Sequence, residues 1–284
     1  MFHKLLFHAE NIDQKMPVSI SIDCTDRCNL NCSFCFVKDR EQKDLPLEQI
    51  IHVINSLPSL KSVELGIGET LLYPYLNELV DFCYDKGLKV GFCTNGILLK
   101  KQSMEMLSKL SWLVIGITPF IDANNIISFD WLPCKYSFIC VLHEKSPSDI
   151  QARLEKFMNI NTHCSNLSLR SDIVYKDVAI EERLKNITIP NMCKVYASEK
   201  FKSWQGTCYF AHLKPLLLCD GYLYPCCVKT DGLDYSHKYR IARWNEIDKY
   251  LAADVQVCCE ECSKSQYQDM IYKFLNDDDI EFVM

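Results

Sequence analysis

The sequence predicts an α/β fold, a partial six-unit (β/α) barrel of the TIM-like kind followed by a smaller C-terminal domain, and three observations carry that expectation. From Val18 to about residue 190, short β-branched and apolar runs alternate with amphipathic segments, and repeated strand-helix units imply a parallel sheet. Unusual motifs follow the first three runs, where the C-terminal ends of barrel strands carry reactive groups. After about residue 190 the rhythm changes to short segments, aromatic residues and cysteines, which sets residues 1–190 apart from residues 191–284.

Strands are expected over 18–24, 62–67, 89–93 and 113–117, with two more over 136–142 and 166–170. Helical patterns lie between them over 47–57, 75–86, 101–110 and 148–158, with Pro74, Ser103 and Ser148 as start signals. In the C-terminal part, Cys219-Asp220-Gly221-Tyr222 reads as a hairpin turn.

The 284 residues are 48% hydrophobic, enough to bury a barrel-sized core. The net charge of -6 comes from acidic and basic residues spread along the chain, with no Lys/Arg block to follow a phosphate backbone, so nucleic acid is not the expected partner. The N-terminus lacks a secretory apolar run and cleavage site, and no apolar stretch approaches the roughly 20 residues that span a bilayer. A cytoplasmic protein without a membrane partner is the expectation.

That compartment gives the 17 cysteines their meaning, because a reducing cytosol rarely keeps structural disulfides. Four lie within residues 24–35 and seven within 208–262, which suggests two sets of metal ligands. Cys83, Cys93, Cys134, Cys140 and Cys164 sit in apolar patterns and read as core.

Cys28, Cys32 and Cys35 have Cys-x3-Cys-x2-Cys spacing in one irregular loop, close enough to wrap three thiolates around a [4Fe-4S] cube. The fourth iron would then lack a protein ligand, as a catalytic metal requires. A zinc site is the alternative, with Cys24 as a fourth ligand. The segment from Cys24 to Cys35, including Phe34 before the third cysteine, resembles the signature loop of the radical S-adenosylmethionine superfamily. Gly68-Glu69-Thr70 resembles the Gly-Gly-Glu-Pro motif of that superfamily, with Ile67 for its first glycine and Thr70 for its proline, and Thr94-Asn95-Gly96 resembles the counterpart after the third strand.

The resemblance implies a radical-generating [4Fe-4S] cluster whose open iron binds S-adenosylmethionine, and a 5′-deoxyadenosyl radical that removes a substrate hydrogen. It places Gly68 and Glu69 near the methionyl amine and Phe34 near the adenine. Thr70 belongs to the same motif, and Asn95, Thr118 and Arg170, at strand ends, are candidates for ribose and carboxylate contacts. An external one-electron reductant of flavodoxin or ferredoxin type is implied with them.

Cys208, Cys226, Cys259 and Cys262 would complete a second, fully ligated set. Their arrangement around Asp220-Gly221-Tyr222-Leu223-Tyr224-Pro225-Cys226 resembles the SPASM/twitch type of auxiliary-cluster domain, the short form with one auxiliary [4Fe-4S] cluster fitting best. A zinc ribbon is the alternative. The doublets Cys226/Cys227 and Cys258/Cys259 leave the register open, and Cys219, Cys227 and Cys258 are candidate hydrogen donors to a substrate radical.

The expected function is modification of a ribosomally made peptide, by epimerisation or crosslinking. Only about 17 residues precede the first strand, fewer than a leader-recognition domain needs, so a dehydrogenase or epimerase of a sugar or aminocyclitol is the second expectation. A non-catalytic iron-sulfur electron carrier is the alternative from another class.

Overall fold

The six apolar runs are strands in the computed structural model, which describes residues 15–35, 37, 40–172, 178–189, 193–195, 202–226 and 239–262. In chain order they are β1 (Ser19–Ile22), β2 (Ser62–Leu65), β3 (Lys89–Thr94), β4 (Trp112–Gly116), β5 (Tyr136–Leu142) and β6 (Leu167–Ser171). The helices between them are α1 (Leu47–Asn55), α2 (Leu76–Asp85), α3 (Met104–Lys109), α4 (Thr118–Asp122) and α5 (Ile150–Asn159), followed by α6 (Val178–Lys185). The architecture is the expected α/β class. The short helix α4 had no sequence signal of its own, because Thr118-Pro119 simply turns the chain at the end of β4.

Two compact units divide the chain, one built from residues 24–44 and 64–199, the other from 1–23, 45–63 and 200–284. The sequence rhythm had suggested a single cut at residue 190. The interleaving arises because β1 takes β9 (Leu216–Leu217) as its parallel partner, with Ser21 opposite Leu216, so C-terminal chain holds the N-terminal strand.

In the first unit, β3, β4, β5, β6 and β7 (Cys193–Val195) run parallel in chain order. Strand β5 alternates buried and half-buried positions along its length, the period-2 signature of a sheet with one drier face. Phe129, Phe138 and Phe157 are buried against one another with ring centroids 5.4 to 6.3 Å apart. Each such pair adds about 0.5–1.5 kcal/mol beyond the area it buries. Ser103 caps α3, its hydroxyl accepting from the Met106 amide at 3.2 Å, as its position before the helical pattern indicated.

In the second unit, β9 continues through a turn into β10 (Tyr222–Tyr224), which pairs with β11 (Ala242–Arg243). The turn is the expected hairpin. Gly221 takes a φ of +78°, which suits glycine, and the Asp220 carboxylate accepts from the Tyr222 amide at 3.0 Å. Helix α1 turns Ile50, Val53 and Ile54 inward, the i, i+3, i+4 pattern of an amphipathic helix. A separate antiparallel ribbon joins β8 (Lys202–Thr207) to β12 (Gln256–Cys262), and α7 (Tyr209–Leu213) and α8 (Ile247–Ala252) complete the unit. Among the described residues, no helix is long and apolar enough to cross a membrane.

One backbone position is strained. Ile67 has a φ of +102°, outside the region a β-branched residue adopts comfortably, at the place where the resembling motif has glycine. The loop keeps a glycine's geometry with an isoleucine in it. Strain of about 1–3 kcal/mol at such a position outweighs the extra chain entropy a glycine costs. Ile67→Gly should therefore stabilise the protein by about 1 kcal/mol, roughly a 2 °C rise in Tm by thermal unfolding. A fall in Tm would show that packing of the isoleucine side chain outweighs the strain.

Candidate metal and cofactor site

The loop after β1 is closed on itself before it presents any thiol. The buried carboxylate of Asp26 accepts from the amides of Glu41 at 2.8 Å and Lys43 at 2.6 Å, and the Asp26 amide donates to the Lys43 carbonyl at 3.0 Å. Arg27 forms an ion pair with Asp44 at 2.9 Å. These contacts tie both ends of the segment holding Cys28, Cys32 and Cys35, all three half-buried.

The turn after β2 lies directly against that loop. The Glu69 amide donates to the Arg27 carbonyl at 2.8 Å. A Cβ on Gly68 would stand 2.1 Å from the Thr25 carbonyl oxygen and 2.8 Å from that of Arg27, both backbone atoms, so only glycine fits.

The Glu69 side chain is engaged within the protein. Its carboxylate is buried and accepts from the Thr94 hydroxyl at 2.6 Å, the Asn95 amide at 2.7 Å and the Leu71 amide at 3.1 Å. The side chain thus ties the turn after β2 to the end of β3, and burial raises its pKa above the ordinary glutamate value despite those three donors. Thr70, buried in the same turn, donates to the Cys93 carbonyl at 3.1 Å. Asn95 adds a bond from its side-chain Nδ2 to the Asn29 side-chain Oδ1 at 2.7 Å, which reaches the cysteine loop from the third strand.

The strand-end candidates divide. Thr118 is buried and its hydroxyl accepts from the Val141 amide at 2.8 Å, linking the ends of β4 and β5. Arg170 is exposed, and its Nε donates to Ser168 at 3.4 Å.

A cavity of about 190 Å³ opens beside the loop, lined by Leu30, Asn31, Cys32, Phe34, Asp122 and His143 among others. Phe34 faces the His143 ring with centroids 5.2 Å apart. His143 Nε2 stands 2.9 Å from Asp122 Oδ2, while His143 Nδ1 and Asp122 Oδ1 are buried without a hydrogen-bond partner among the described residues. Sequence reasoning missed this pair. His143 directly follows β5, so the rule that nominated Thr118 and Arg170 could have found it.

The thiols fit an iron-sulfur cluster. Cys32 is pushed up to about 11, by burial first and then by the thiolates of Cys35 and Cys28, so the three sulfurs are near enough to repel one another as anions. Bound iron would relieve that repulsion. Among the described residues no three His, Cys, Asp or Glu side chains gather tightly enough for a single metal ion. A [4Fe-4S] cube, several ångströms across, is served by a wider spread of thiols.

In the second unit, Cys208, Cys259 and Cys262 are buried in one cluster with Phe210, Val255 and Val257, and Cys226 packs against it. Three of the expected auxiliary ligands thus share one apolar cluster, and the fourth borders it. Strand alternation separates one doublet: Cys259, opposite Trp204, is buried and Cys258, opposite Gln205, is exposed. The Cys219 thiol donates to the Asp23 carbonyl at 2.9 Å. Cys227 lies outside the described residues. Of the cysteines read as core, Cys83, Cys140 and Cys164 are buried, and Cys93 and Cys134 are half-buried.

Residues 22–123 match the family model described as the radical SAM superfamily, and the cysteine loop lies near the start of that match. Over 115 residues it is 30% identical to the antilisterial bacteriocin subtilosin biosynthesis protein AlbA of Bacillus subtilis (strain 168), covering 39% of this chain and 25% of that protein. Over 175 residues it is 29% identical to an S-adenosylmethionine-dependent nucleotide dehydratase of Selenomonas ruminantium, covering 56% of this chain and 60% of that one. The chain thus spans between a quarter and three-fifths of these relatives' lengths. In fold it resembles Streptococcus suis SuiB, solved bound to S-adenosylmethionine, with a TM-score of 0.59 at 15% identity over 89% of this chain and 68% of that one.

The raised pKa of Glu69 has a sign that can be measured. A carboxyl whose folded pKa lies above its unfolded value stabilises the fold fully below the unfolded pKa, and that contribution fades as pH rises through the folded one. The stability of the wild type relative to Glu69→Gln should therefore be greatest near about pH 4 and shrink towards pH 8, followed by thermal unfolding of both proteins. A difference that grows with pH would show that the three donors outweigh burial.

Proposed function

We propose that the chain is a radical S-adenosylmethionine enzyme that modifies a ribosomally made peptide, by epimerisation or crosslinking. The observation that carries this is the loop of Cys28, Cys32 and Cys35 held against Gly68-Glu69 with a cavity beside it, within a matched radical SAM domain. When bound, the cluster and S-adenosylmethionine supply a 5′-deoxyadenosyl radical that takes a hydrogen atom from the substrate.

The residues of this chain hold and shape that site. Cys28, Cys32 and Cys35 would ligate the cluster, leaving one iron open. The turn at Gly68 and Glu69 offers its backbone to the methionyl group, since the Glu69 carboxylate is engaged with Thr94 and Asn95. Phe34 provides an apolar wall of the cavity, and Asn95, Thr118 and Arg170, at or near the C-terminal ends of β3, β4 and β6, are the candidates for ribose and carboxylate contacts. By function the chain divides into residues 1–190 for radical generation and residues 191–284 for one auxiliary [4Fe-4S] cluster on Cys208, Cys226, Cys259 and Cys262. In this reading one of Cys219, Cys227 and Cys258 returns a hydrogen atom to the substrate radical. We assign the enzyme to the cytoplasm, with a flavodoxin- or ferredoxin-type reductant and without a nucleic-acid partner.

The peptide substrate is supported by the likeness to a bacteriocin biosynthesis protein. A small-molecule substrate, including a nucleotide, is the second reading, favoured by the longer match to the nucleotide dehydratase. Incubation with short peptides and with nucleoside triphosphates, each scored by mass change, separates the two.

Two substitution tests bear on the clusters. Anaerobically reconstituted protein should hold about eight irons and release 5′-deoxyadenosine from S-adenosylmethionine on reduction. Cys32→Ala should abolish that release, and continued production would overturn the cluster assignment. Cys259→Ser should lose about four irons while Cys258→Ser keeps all of them, read by iron and sulfide analysis. Equal loss in both would move the auxiliary ligand to another position.

A further inference from the structure

Arg40 has no role in the motif, yet its guanidinium is aimed at a proposed cluster ligand. Nη1 donates to the Asp26 carbonyl at 2.7 Å, and Nη2 donates to Cys35 Sγ at 3.3 Å. Its placement is fixed by the surrounding loop: the Asp26 carboxylate accepts from the Glu41 amide, next to Arg40, and from the Lys43 amide beyond. A guanidinium on a planar fork is a strong, permanently charged donor. A neutral thiol is a weak acceptor for it, whereas a thiolate is a strong one.

The two contacts of Cys35 differ in what happens on ligation. Its own thiol donates to the Val37 carbonyl at 3.3 Å. That bond ends when the proton leaves for metal binding. The bond from Arg40 is the one that strengthens, because its donor keeps its proton and its acceptor gains charge.

We infer that Arg40 is a positioning residue that raises the reduction potential of the cluster on Cys28, Cys32 and Cys35, through an N–H···S hydrogen bond to Cys35. The inference rests on the radical SAM reading of that loop. Hydrogen bonds and positive charge at a cluster sulfur favour the more negative, reduced state, so an external one-electron donor reduces the cluster at a milder potential.

The test is a dithionite-poised redox titration of the reconstituted enzyme, following the electron paramagnetic resonance signal that changes when S-adenosylmethionine is added. That response selects the open cluster over the auxiliary one. In Arg40→Gln, with iron and sulfide content unchanged, the reduced-to-oxidised ratio at a fixed potential should fall about tenfold, equivalent to 59 mV for one electron. An unchanged midpoint overturns the inference while leaving the cluster assignment intact. A wild-type protein with no S-adenosylmethionine-responsive signal overturns the assignment itself. If Arg40→Gln fails to retain iron, wild-type enzyme labelled with guanidino-15N arginine carries the test: a 15N coupling to that signal is expected, and its absence overturns the inference.

Discussion

The amide of Glu69 and the carbonyl of Arg27 meet at 2.8 Å, and the site depends on that contact between two backbones. It requires Gly68 to have no side chain, since the Thr25 carbonyl occupies the place of a Cβ. It lets the Glu69 carboxylate reach past the turn to Thr94 and Asn95, joining the end of β3 to the turn that holds the cysteine loop. The chain then closes this arrangement a second time, through Asn95 and Asn29. Three segments far apart in sequence are thus fixed by short hydrogen bonds of a few residues each.

The polar groups in this region are largely used up in holding it together. Asp26, Glu69, Thr70 and Thr118 are all buried, and each has a side-chain hydrogen bond to the protein. What faces the cavity is Cys32, the Phe34 ring and the Asp122–His143 pair, with its two unsatisfied atoms. A site whose framework is satisfied internally can hold its geometry before a ligand arrives, which is how preorganised cofactor sites avoid reordering on binding. Ile67 is the exception, a strained residue that the surrounding contacts hold in place.

The cysteines show two ways in which position decides the role of a residue. On β12, neighbours Cys258 and Cys259 differ by one step of the strand and so by the face they occupy. On α2 and β5, Cys83 and Cys140 are pushed up to about 12 by burial, which keeps them as protonated, unreactive side chains. Near the cysteine loop, the same burial acts on Cys32 together with the charge of its neighbours, and there the thiols are half-buried and within reach of iron. Chemical identity is shared by all of them, and environment sorts them.

The sequence by itself determined the six strands, the helices between them other than α4, the hairpin at Gly221 and the spacing of the cysteine triplet, because each is written in a local period or spacing that neighbours in the chain can satisfy. It also identified Gly68 and Glu69 by their order after β2. Only the tertiary structure decided what Glu69 binds, which of Cys258 and Cys259 is buried, and that Arg40 and His143 stand at the site. Those outcomes depend on strand register, on which chain crosses over which, and on the direction of a side chain from its backbone. The early pairing of β1 with β9 is of the same kind, a contact between residues nearly two hundred positions apart that no local pattern records.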